Sequence, residues 1–296
     1  MPGIQAILLG IDGCLLDPSG KLLSPGHFAD YVAGIHSLAS HIYFSNRYSF
    51  PALKPPICFC TGRPQAYVEA VAYMLGLPNS WSIVESGLFL YNPATKVKVM
   101  NPALTSELMQ VFKHIAEEIV PAILLKFPTL FLYSGNELNI AIEQKYGADT
   151  PMEECYASIV NALTDDVKEM VNIHHSDSAV DISPVGIDKG SGVKMWADFT
   201  GTDLAKTLGI GDSQGDFPMF EKVGKVACPA NASESCKKLV GSHDGYVSPY
   251  QLTAGVADII DHFCRGTAID IEDVEEADPK MAEYLAHHVL DLGDIG

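Results

Sequence analysis

Short apolar runs that stop abruptly at polar or glycine residues constrain this fold more than any other sequence feature. Residues 4–11 are almost wholly apolar and are followed by Asp12 and Gly13, and residues 57–60 are followed by Thr61. Runs this short and this apolar are typical of strands buried on both faces of a parallel sheet. Helical patterns alternate with them, so we predict an α/β fold with a doubly wound, Rossmann-like parallel sheet.

The middle of the chain has a different pattern. A helical stretch over residues 106–123 is followed by a predicted hairpin at 130–142, a second helix at 152–163 and a second strand pair at 171–182. This order is typical of an antiparallel sheet with helices on one face. We therefore predict three segments: a discontinuous core of residues 1–88 and 185–264, an inserted α+β domain of residues 89–184, and an acidic C-terminal extension of residues 265–296.

Two further segments are predicted to be helical. Ser24 and Pro25 are typical of a helix start, and this helix would run to about Ser40. The extension 265–296 contains nine acidic residues against two basic ones and has an apolar stripe at helical spacing over residues 281–292. One interpretation packs this stripe on the body of the protein, and the alternative is a contact between two copies in a homodimer.

The charge balance excludes some classes of partner. The chain has 37 acidic and 19 basic residues, for a net charge of −18, which argues against nucleic acid and anionic membranes. No apolar run reaches the ~18 residues of a membrane helix, and no basic segment precedes an apolar one at the N-terminus. The seven cysteines are irregularly spaced and mostly lie in apolar runs, which is typical of reduced core thiols and predicts a cytoplasmic location.

Five polar residues fall at or near the ends of predicted strands and helices: Asp12, Thr61, Lys189, Asp212 and Asp216. Ligands of open α/β sheets bind beyond the carboxyl ends of the strands, so these side chains should meet there. Carboxylates suit Mg²⁺, while a lysine and a hydroxyl suit phosphate oxygens. Each residue alone is more often a turn or a helix cap. Together they predict a site for Mg²⁺ and a small phosphorylated metabolite.

Four motifs in this order resemble those of the haloacid dehalogenase-like superfamily of phosphohydrolases. The first resembles D-x-D-G-T-L-x-D, the second a Thr before Gly-Arg, the third a lysine that opens a helix, and the fourth G-D-x-x-N-D-x-x-M. The Gly-Val-Ala of residues 255–257 also resembles the closing helix of the family. The four motifs lie at residues 10–17, 60–63, 188–190 and 211–219, so the resemblance covers about 1–264.

The inserted domain is similar to the type IIB cap of the Cof-type branch of this family. That branch includes sugar-phosphate, mannosyl-phosphoglycerate, phosphoglycolate and sucrose-phosphate phosphatases. The resemblance implies a cap that closes over the substrate and selects the leaving group. It also implies Mg²⁺-dependent hydrolysis of a small phosphorylated metabolite.

The resemblance also implies roles for individual residues. Asp12 matches the general acid/base, and its backbone carbonyl matches a metal ligand; Asp212 matches the main metal carboxylate and Asp216 an outer one. Arg63 either pairs with a carboxylate or contacts substrate, and the segment of Glu85 and Ser86 occupies the place of a turn near the active site, where both are candidates for substrate contact. The phosphate-binding positions are Thr61, Gly62 and Lys189.

The sequence departs from the family at the nucleophile. The first aspartate of the first motif is replaced by Gly10 here, and two neighbouring motif positions are Cys14 and Gly215. An aspartyl-phosphate route is therefore not available. One hypothesis is a phosphatase that uses another route, such as attack by water with Asp12 as base. The alternative is a catalytically impaired relative that binds a phosphorylated metabolite or a protein partner.

Overall fold

A computed structural model describes residues 3–17, 34–35, 38, 55–145, 147–176 and 179–264. The strands form a five-stranded sheet, a three-stranded sheet and a four-stranded sheet within these ranges. The strands are β1 (Ala6–Leu9), β2 (Ile57–Phe59), β3 (Ser82–Val84), β4 (Phe89–Asn92), β5 (Val97–Met100), β6 (Leu130–Leu132), β7 (Ile140–Gln144), β8 (Val171–His175), β9 (Ala179–Pro184), β10 (Thr207–Ile210), β11 (Lys225–Cys228) and β12 (Tyr246–Val247).

The helices lie between these strands in the order that the sequence predicts. The first is α1, where Pro64 stands at the N-cap position. The helices are α1 (Gln65–Met74), α2 (Ser106–His114), α3 (Val120–Lys126), α4 (Met152–Ala162), α5 (Asp165–Lys168), α6 (Lys189–Thr200), α7 (Phe217–Phe220), α8 (Glu234–Ser242) and α9 (Leu252–Cys264). A π-helical segment, Ile115–Ile119, joins α2 to α3.

The five-stranded sheet is parallel, with the order β12-β11-β10-β1-β2. All four residues of β1 are buried, because helices cover both faces of the sheet. Ile7 and Leu9 pack with residues of α1 and α9, whereas Ala6 and Leu8 pack with residues of α6 and α8. The prediction of a doubly wound, Rossmann-like sheet is confirmed.

The antiparallel sheet β3-β4-β5 includes two strands that the sequence analysis did not predict. Its β3 continues from the edge of the parallel sheet through a bridge between Cys60 and Ile83. Phe89 and Tyr91 of β4 are buried in the same cluster as residues of β1 and β2. The predicted domain boundary at residue 89 thus falls inside this small sheet, and the division into core and cap stays a prediction.

The four-stranded sheet is antiparallel, with the order β6-β7-β9-β8. One face is apolar and packs against α2, α3 and α4 through residues such as Phe112, Ile142, Ile159 and Ile182. The predicted hairpin is confirmed. The sequence predicts that its second strand begins at residue 137, whereas β7 begins at Ile140. The reason is that the backbone N–H groups of residues 137–139 donate to a side chain of the core.

Some predicted features lie outside the described residues. These are most of the helix over 24–40 and the whole extension 265–296, with its homodimer alternative. Within the described ranges, no helix is both long and apolar enough to cross a membrane. All seven cysteines are buried, as the sequence predicts.

A tight approach between two turns places the start of α6. Gly87 has φ +102°, and a Cβ built on it would lie 2.1 Å from the carbonyl oxygen of Asp188. Gly186 also has a positive φ, +79°, but a Cβ there would have nothing within 4 Å. The two glycines therefore separate the effect of close packing from that of backbone conformation.

Gly87→Ala should lower the free energy of unfolding by more than about 3 kcal/mol, because backbone strain is joined by an unavoidable clash. Gly186→Ala should lower it by about 1 kcal/mol from strain alone. Urea denaturation of both variants measures the difference. Equal losses would show that the contact with Asp188 does not fix this turn.

Candidate functional site

The sequence-predicted site residues meet at the carboxyl edge of the parallel sheet. Leu9 of β1 is in register with Phe59 of β2 and with Ile210 of β10, so the three strands end at the same level. Gly10 and Asp12 follow β1, Thr61 follows β2, and Asp212 follows β10. The edge carries these residues because parallel strands all point the same way.

Lys189 and Asp216 form a buried ion pair at this edge. Lys189 Nζ lies 2.6 Å from Asp216 Oδ1, and the Asp216 side chain is 1% exposed. The other oxygen of Asp216 accepts hydrogen bonds from the backbone N–H groups of Asp212 (2.9 Å) and Ser213 (3.2 Å). Both oxygens of Asp216 are thus engaged, which suits an outer carboxylate rather than a direct metal ligand.

The charge of Lys189 is maintained by this pair. Burial alone would lower the pKa of Lys189, but the neighbouring Asp216 carboxylate raises it above its ordinary value. The N-terminus of α6 reaches the pair because Gly190 packs closely on α7; a Cβ there would lie 2.6 Å from the carbonyl oxygen of Pro218. Lys189 therefore presents a fixed cation at the start of a helix, where anions bind favourably.

The carboxylate of Asp212 packs against the turn that follows β1. A Cβ built on Gly13, which has φ +71°, would lie 2.2 Å from Asp212 Oδ2, so only glycine fits there. Burial and the negative charge of Asp216 raise the pKa of Asp212 to about 7, and Asp12 adds to this effect. A cation beside Asp212 would offset the cost of its negative charge.

The donor set fits Mg²⁺ only as a site that keeps water ligands. Within the described ranges, no group of three or more His, Cys, Asp or Glu side chains is placed to hold a metal. Mg²⁺ usually keeps several waters and takes one or two carboxylates together with substrate phosphate oxygens. The carboxylate of Asp212 and the backbone carbonyl of Asp12, which follow the adjacent strands β10 and β1, are the groups that could hold such an ion.

Gly10 leaves room for a side chain. A Cβ built on it would lie 3.3 Å from Cys14 Sγ and 3.5 Å from the carbonyl oxygen of Ile210, and its φ is not in the left-handed region. A Cβ at this position thus needs only a small shift of Cys14. Cys14 itself is fully buried, and burial together with Asp212 and Asp216 raises its thiol pKa well above the ordinary value. It cannot replace the missing nucleophile, because the thiolate is the reactive form.

Asp12 and Arg63 form a bidentate ion pair. Arg63 Nε donates to Asp12 Oδ2 at 2.8 Å, and Nη2 donates to Oδ1 at 3.1 Å. Of the two interpretations of Arg63, the structure shows the pairing with a carboxylate. The backbone N–H of Arg63 also donates to the Thr61 hydroxyl at 3.1 Å, so Arg63 connects the loop of Thr61 to Asp12.

The loop of Thr61 and Gly62 lies against Ser86. The N–H of Ser86 donates to the Thr61 carbonyl at 3.0 Å, and a Cβ on Gly62 would lie 3.2 Å from Ser86 Oγ. Ser86 has φ +56°, a conformation that brings its hydroxyl to this loop. The structure thus places Ser86, a sequence candidate for substrate contact, beside the predicted phosphate position.

Glu85 is buried and bound to backbone groups, whereas a residue that contacts substrate would have to be accessible. It is 1% exposed, and its carboxylate accepts three backbone hydrogen bonds, from Glu137 (2.8 Å), Leu138 (3.0 Å) and Asn139 (3.1 Å). Burial raises the pKa of Glu85, and these three donors act against the rise. Sequence reasoning missed this role, because the partners are backbone groups more than fifty residues away.

Comparisons with known proteins agree with this arrangement. A haloacid dehalogenase-like hydrolase family profile matches residues 148–260. A phosphoglycolate phosphatase from Methanothrix thermoacetophila is 27% identical over 259 residues, which cover 88% of this chain and 96% of that protein. One from Thermoplasma volcanium is 37% identical over 78 residues, 26% of this chain and 33% of that protein. The structure of a haloacid dehalogenase-like hydrolase from Bacteroides thetaiotaomicron has a TM-score of 0.62 at 16% identity and covers 88% of this chain and 99% of that chain.

The chain is thus similar to haloacid dehalogenase-like hydrolases, through the family profile over residues 148–260 and through the Methanothrix protein over most of its length. The profile match includes the motifs at residues 188–190 and 211–219. Several relatives are matched over only about a third of their own length, whereas the Methanothrix protein is matched over nearly all of it. The family resemblance inferred from the motifs is thus confirmed.

The raised pKa of Asp212 predicts a pH-dependent stability. Its folded-state pKa of about 7 exceeds the ordinary 3.8, so the folded protein binds this proton more tightly than the unfolded chain does. In EDTA, the free energy of unfolding should therefore fall as the pH rises from about 4 to about 7. Asp212→Asn should remove this part of the pH dependence, whereas the exposed control Asp198→Asn should keep it. Denaturation of the three proteins across this range is the measurement, and parallel curves would contradict the prediction.

The contacts of Glu85 predict a local effect of its substitution. In Glu85→Gln one acceptor oxygen becomes a donor that faces backbone N–H groups, so stability should fall by about 2 kcal/mol. Hydrogen exchange at residues 137–139 should become faster, while exchange in β1 and β10 changes less. Glu221→Gln, at an exposed position, is the control. Unchanged protection at residues 137–139 would show that the carboxylate does not hold this loop.

Proposed function

We propose that this protein is a Mg²⁺-dependent phosphohydrolase of a small phosphorylated metabolite, such as a sugar phosphate or phosphoglycolate, in which water takes the place of the side-chain nucleophile. The observation that carries the proposal is the convergence of Lys189, Thr61 and Asp212 on one edge of the sheet. Relatives with phosphoglycolate phosphatase names support the substrate class, because that compound is a small phosphate monoester.

Each polar residue of this edge contributes a different group to phosphate binding. Lys189 supplies a cation that Asp216 holds in place. Thr61 supplies a hydroxyl, since it is buried and its orientation is fixed by the N–H of Arg63. A Mg²⁺ ion at Asp212 would neutralise further charge on the phosphate oxygens when bound. Together these groups stabilise negative charge on a phosphoryl group, which is the main requirement of phosphoryl transfer.

Asp12 is the group placed to move protons. Its carboxylate accepts one hydrogen bond from Arg63 at each oxygen and is partly exposed, so the remaining lone pairs can accept a proton from water. It lies two residues after Gly10, the position that the family motif gives to the nucleophile. A water attacking the phosphorus in place of that side chain would give its proton to Asp12. The leaving oxygen would then be protonated by the same residue or by solvent.

A second function is favoured by one specific observation, the glycine at the nucleophile position. Covalent catalysis divides a difficult step into two easier ones, and in another enzyme the loss of a nucleophile lowered turnover by about 10⁶. A protein with the binding groups intact but the nucleophile missing would hold a phosphorylated metabolite without cleaving it. The same experiment separates this function from the first.

The test compares the wild-type protein with Gly10→Asp and with the double variant Gly10→Asp/Cys14→Ser, which relieves the contact with Cys14 Sγ. Phosphate release is measured with Mg²⁺ on sugar phosphates, phosphoglycolate and p-nitrophenyl phosphate. We expect slow wild-type turnover that Asp12→Asn abolishes, and a gain of up to about 10⁶-fold in the two variants that carry Gly10→Asp.

Two other outcomes would decide against the proposal. Activity in the Gly10→Asp variants with none in the wild-type protein would favour the binding function. No activity in any of them, with no calorimetric signal for inorganic phosphate plus Mg²⁺, would exclude both functions. Asp198→Asn is the matched control, since it removes an exposed carboxylate far along α6 from Lys189.

A further inference from the structure

The face of the four-stranded sheet that the helices leave uncovered carries polar and charged side chains. Tyr133, Ala141, Asp181 and His174 form one row across the sheet, from the end of β6 through β7 and β9 to β8. The N–H of Tyr133 donates to the Ala141 carbonyl, and Ala141 and His174 are each in register with Asp181. Glu143 lies two residues beyond Ala141, on the same side of β7. We call the side chains of Tyr133, Glu143, His174 and Asp181 the acidic face.

The acidic face lies against the predicted catalytic residues. Arg63, which holds Asp12, also has its Nη1 atom 3.9 Å from Glu143 Oε1. The guanidinium carbon of Arg63 lies 5.3 Å from the centre of the Tyr133 ring. Nearby, a Cβ on Gly135 would lie 3.6 Å from Pro64, so the turn after β6 also contacts the core. The acidic face is thus adjacent to Asp12.

The charge of the acidic face is negative even after Arg63 is counted. Arg63 already shares its single positive charge between Asp12 and Glu143, which leaves Asp181 without a full counter-ion at the face. The surrounding protein and the Glu143 charge raise the pKa of Asp181, against the effects of Arg63 and His174. The side chain of Asp181 remains accessible to solvent. A ligand that reaches this face therefore meets carboxylate oxygens.

The adjoining loop supplies further acceptors. The amide oxygens of Asn136 and Asn139 are buried, and neither has a hydrogen-bond partner among the described residues. Asn139 is held in position, because its amide nitrogen donates to the Glu85 carbonyl at 3.0 Å. Buried acceptors are normally satisfied, so oxygens in this state favour a ligand that brings donors.

We infer that the acidic face binds the leaving-group part of the substrate and selects a hydrogen-bond-donating alcohol, one with hydroxyl or ammonium groups, over one with a carboxylate. The inference rests on the proposed function, since it assigns the second half of the same site. Two carboxylates beside a ligand carboxylate would repel it, and mismatched charges of this kind change affinity strongly. The chain then prefers phosphorylated polyols or amino alcohols to phosphoglycolate.

The experiment measures affinity, so that it does not depend on turnover. Two ligand pairs that differ in one group are titrated into the wild-type protein with Mg²⁺: glycerol 3-phosphate against 3-phosphoglycerate, and phosphoethanolamine against phosphoglycolate. We expect the hydroxyl or ammonium member of each pair to bind about tenfold more tightly. A preference within both pairs supports the inference. A preference within the amine pair alone would assign the effect to cation attraction and would overturn the selection against carboxylate.

Variants locate the preference. Asp181→Asn and Glu143→Gln keep the side-chain shapes but remove one charge each, and each should reduce the discrimination within both pairs by about threefold or more. Glu153→Gln removes a charge from the helix-covered side of the same sheet and should leave the discrimination unchanged.

Titration of inorganic phosphate with Mg²⁺ tests phosphate binding separately from selection by the acidic face. If phosphate binds but the carboxylate ligands bind as well as their partners, the inference about the acidic face is overturned while the proposed function stands. If phosphate itself does not bind, the proposed function fails and the acidic face has no substrate to select. Discrimination that survives in both Asp181→Asn and Glu143→Gln would also overturn the inference.

Discussion

The buried pair of Lys189 and Asp216 is the interaction on which the rest of this site depends. Asp216 binds Lys189 with one oxygen and, with the other, the backbone N–H groups that follow β10. It thereby joins the start of α6 to the end of the central strand. Removing one partner from such a pair typically costs about 3–5 kcal/mol, because the other charge stays buried. The same contact that fixes the fold at this edge also fixes Lys189, the cation to which the proposed function assigns phosphate binding.

Two further carboxylates connect the parallel-sheet layer to the four-stranded sheet. The Glu85 carboxylate accepts hydrogen bonds from the backbone N–H groups of residues 137–139. Arg63 forms ion pairs with both Asp12 and Glu143. The first connection uses neutral donors and a buried anion, so it is rigid and specific. The second is a chain of charges that remains partly exposed, so salt and ligands can weaken it. The two connections therefore differ in how readily they yield to a bound substrate.

The fold and most of the site were predictable from local patterns. Apolar runs indicated β1, β2 and β10, and their parallel direction was sufficient to bring Asp12, Thr61 and Asp212 to one edge. The partners of Glu85 were not predictable, because they are backbone N–H groups, which nearly every residue has. The sequence therefore does not indicate which of them contact Glu85. The strands β4 and β5 were missed because their pairing depends on two turns with positive φ, one at Glu85 and Ser86 between β3 and β4, and one at Lys96 between β4 and β5. The pairing of Arg63 with Asp12 was weighed but could be decided only by geometry.

The glycines at the carboxyl edge of the parallel sheet differ in how much space surrounds them. A Cβ at Gly13 would meet the carboxylate of Asp212, and a Cβ at Gly211 would meet that of Asp216, so neither position accepts a side chain while these carboxylates stay in place. Gly10 is less tightly packed, since a Cβ there would lie 3.3 Å from Cys14 Sγ and 3.5 Å from the carbonyl oxygen of Ile210. A side chain could therefore be introduced at position 10 with less disturbance of the pocket than at position 13 or 211.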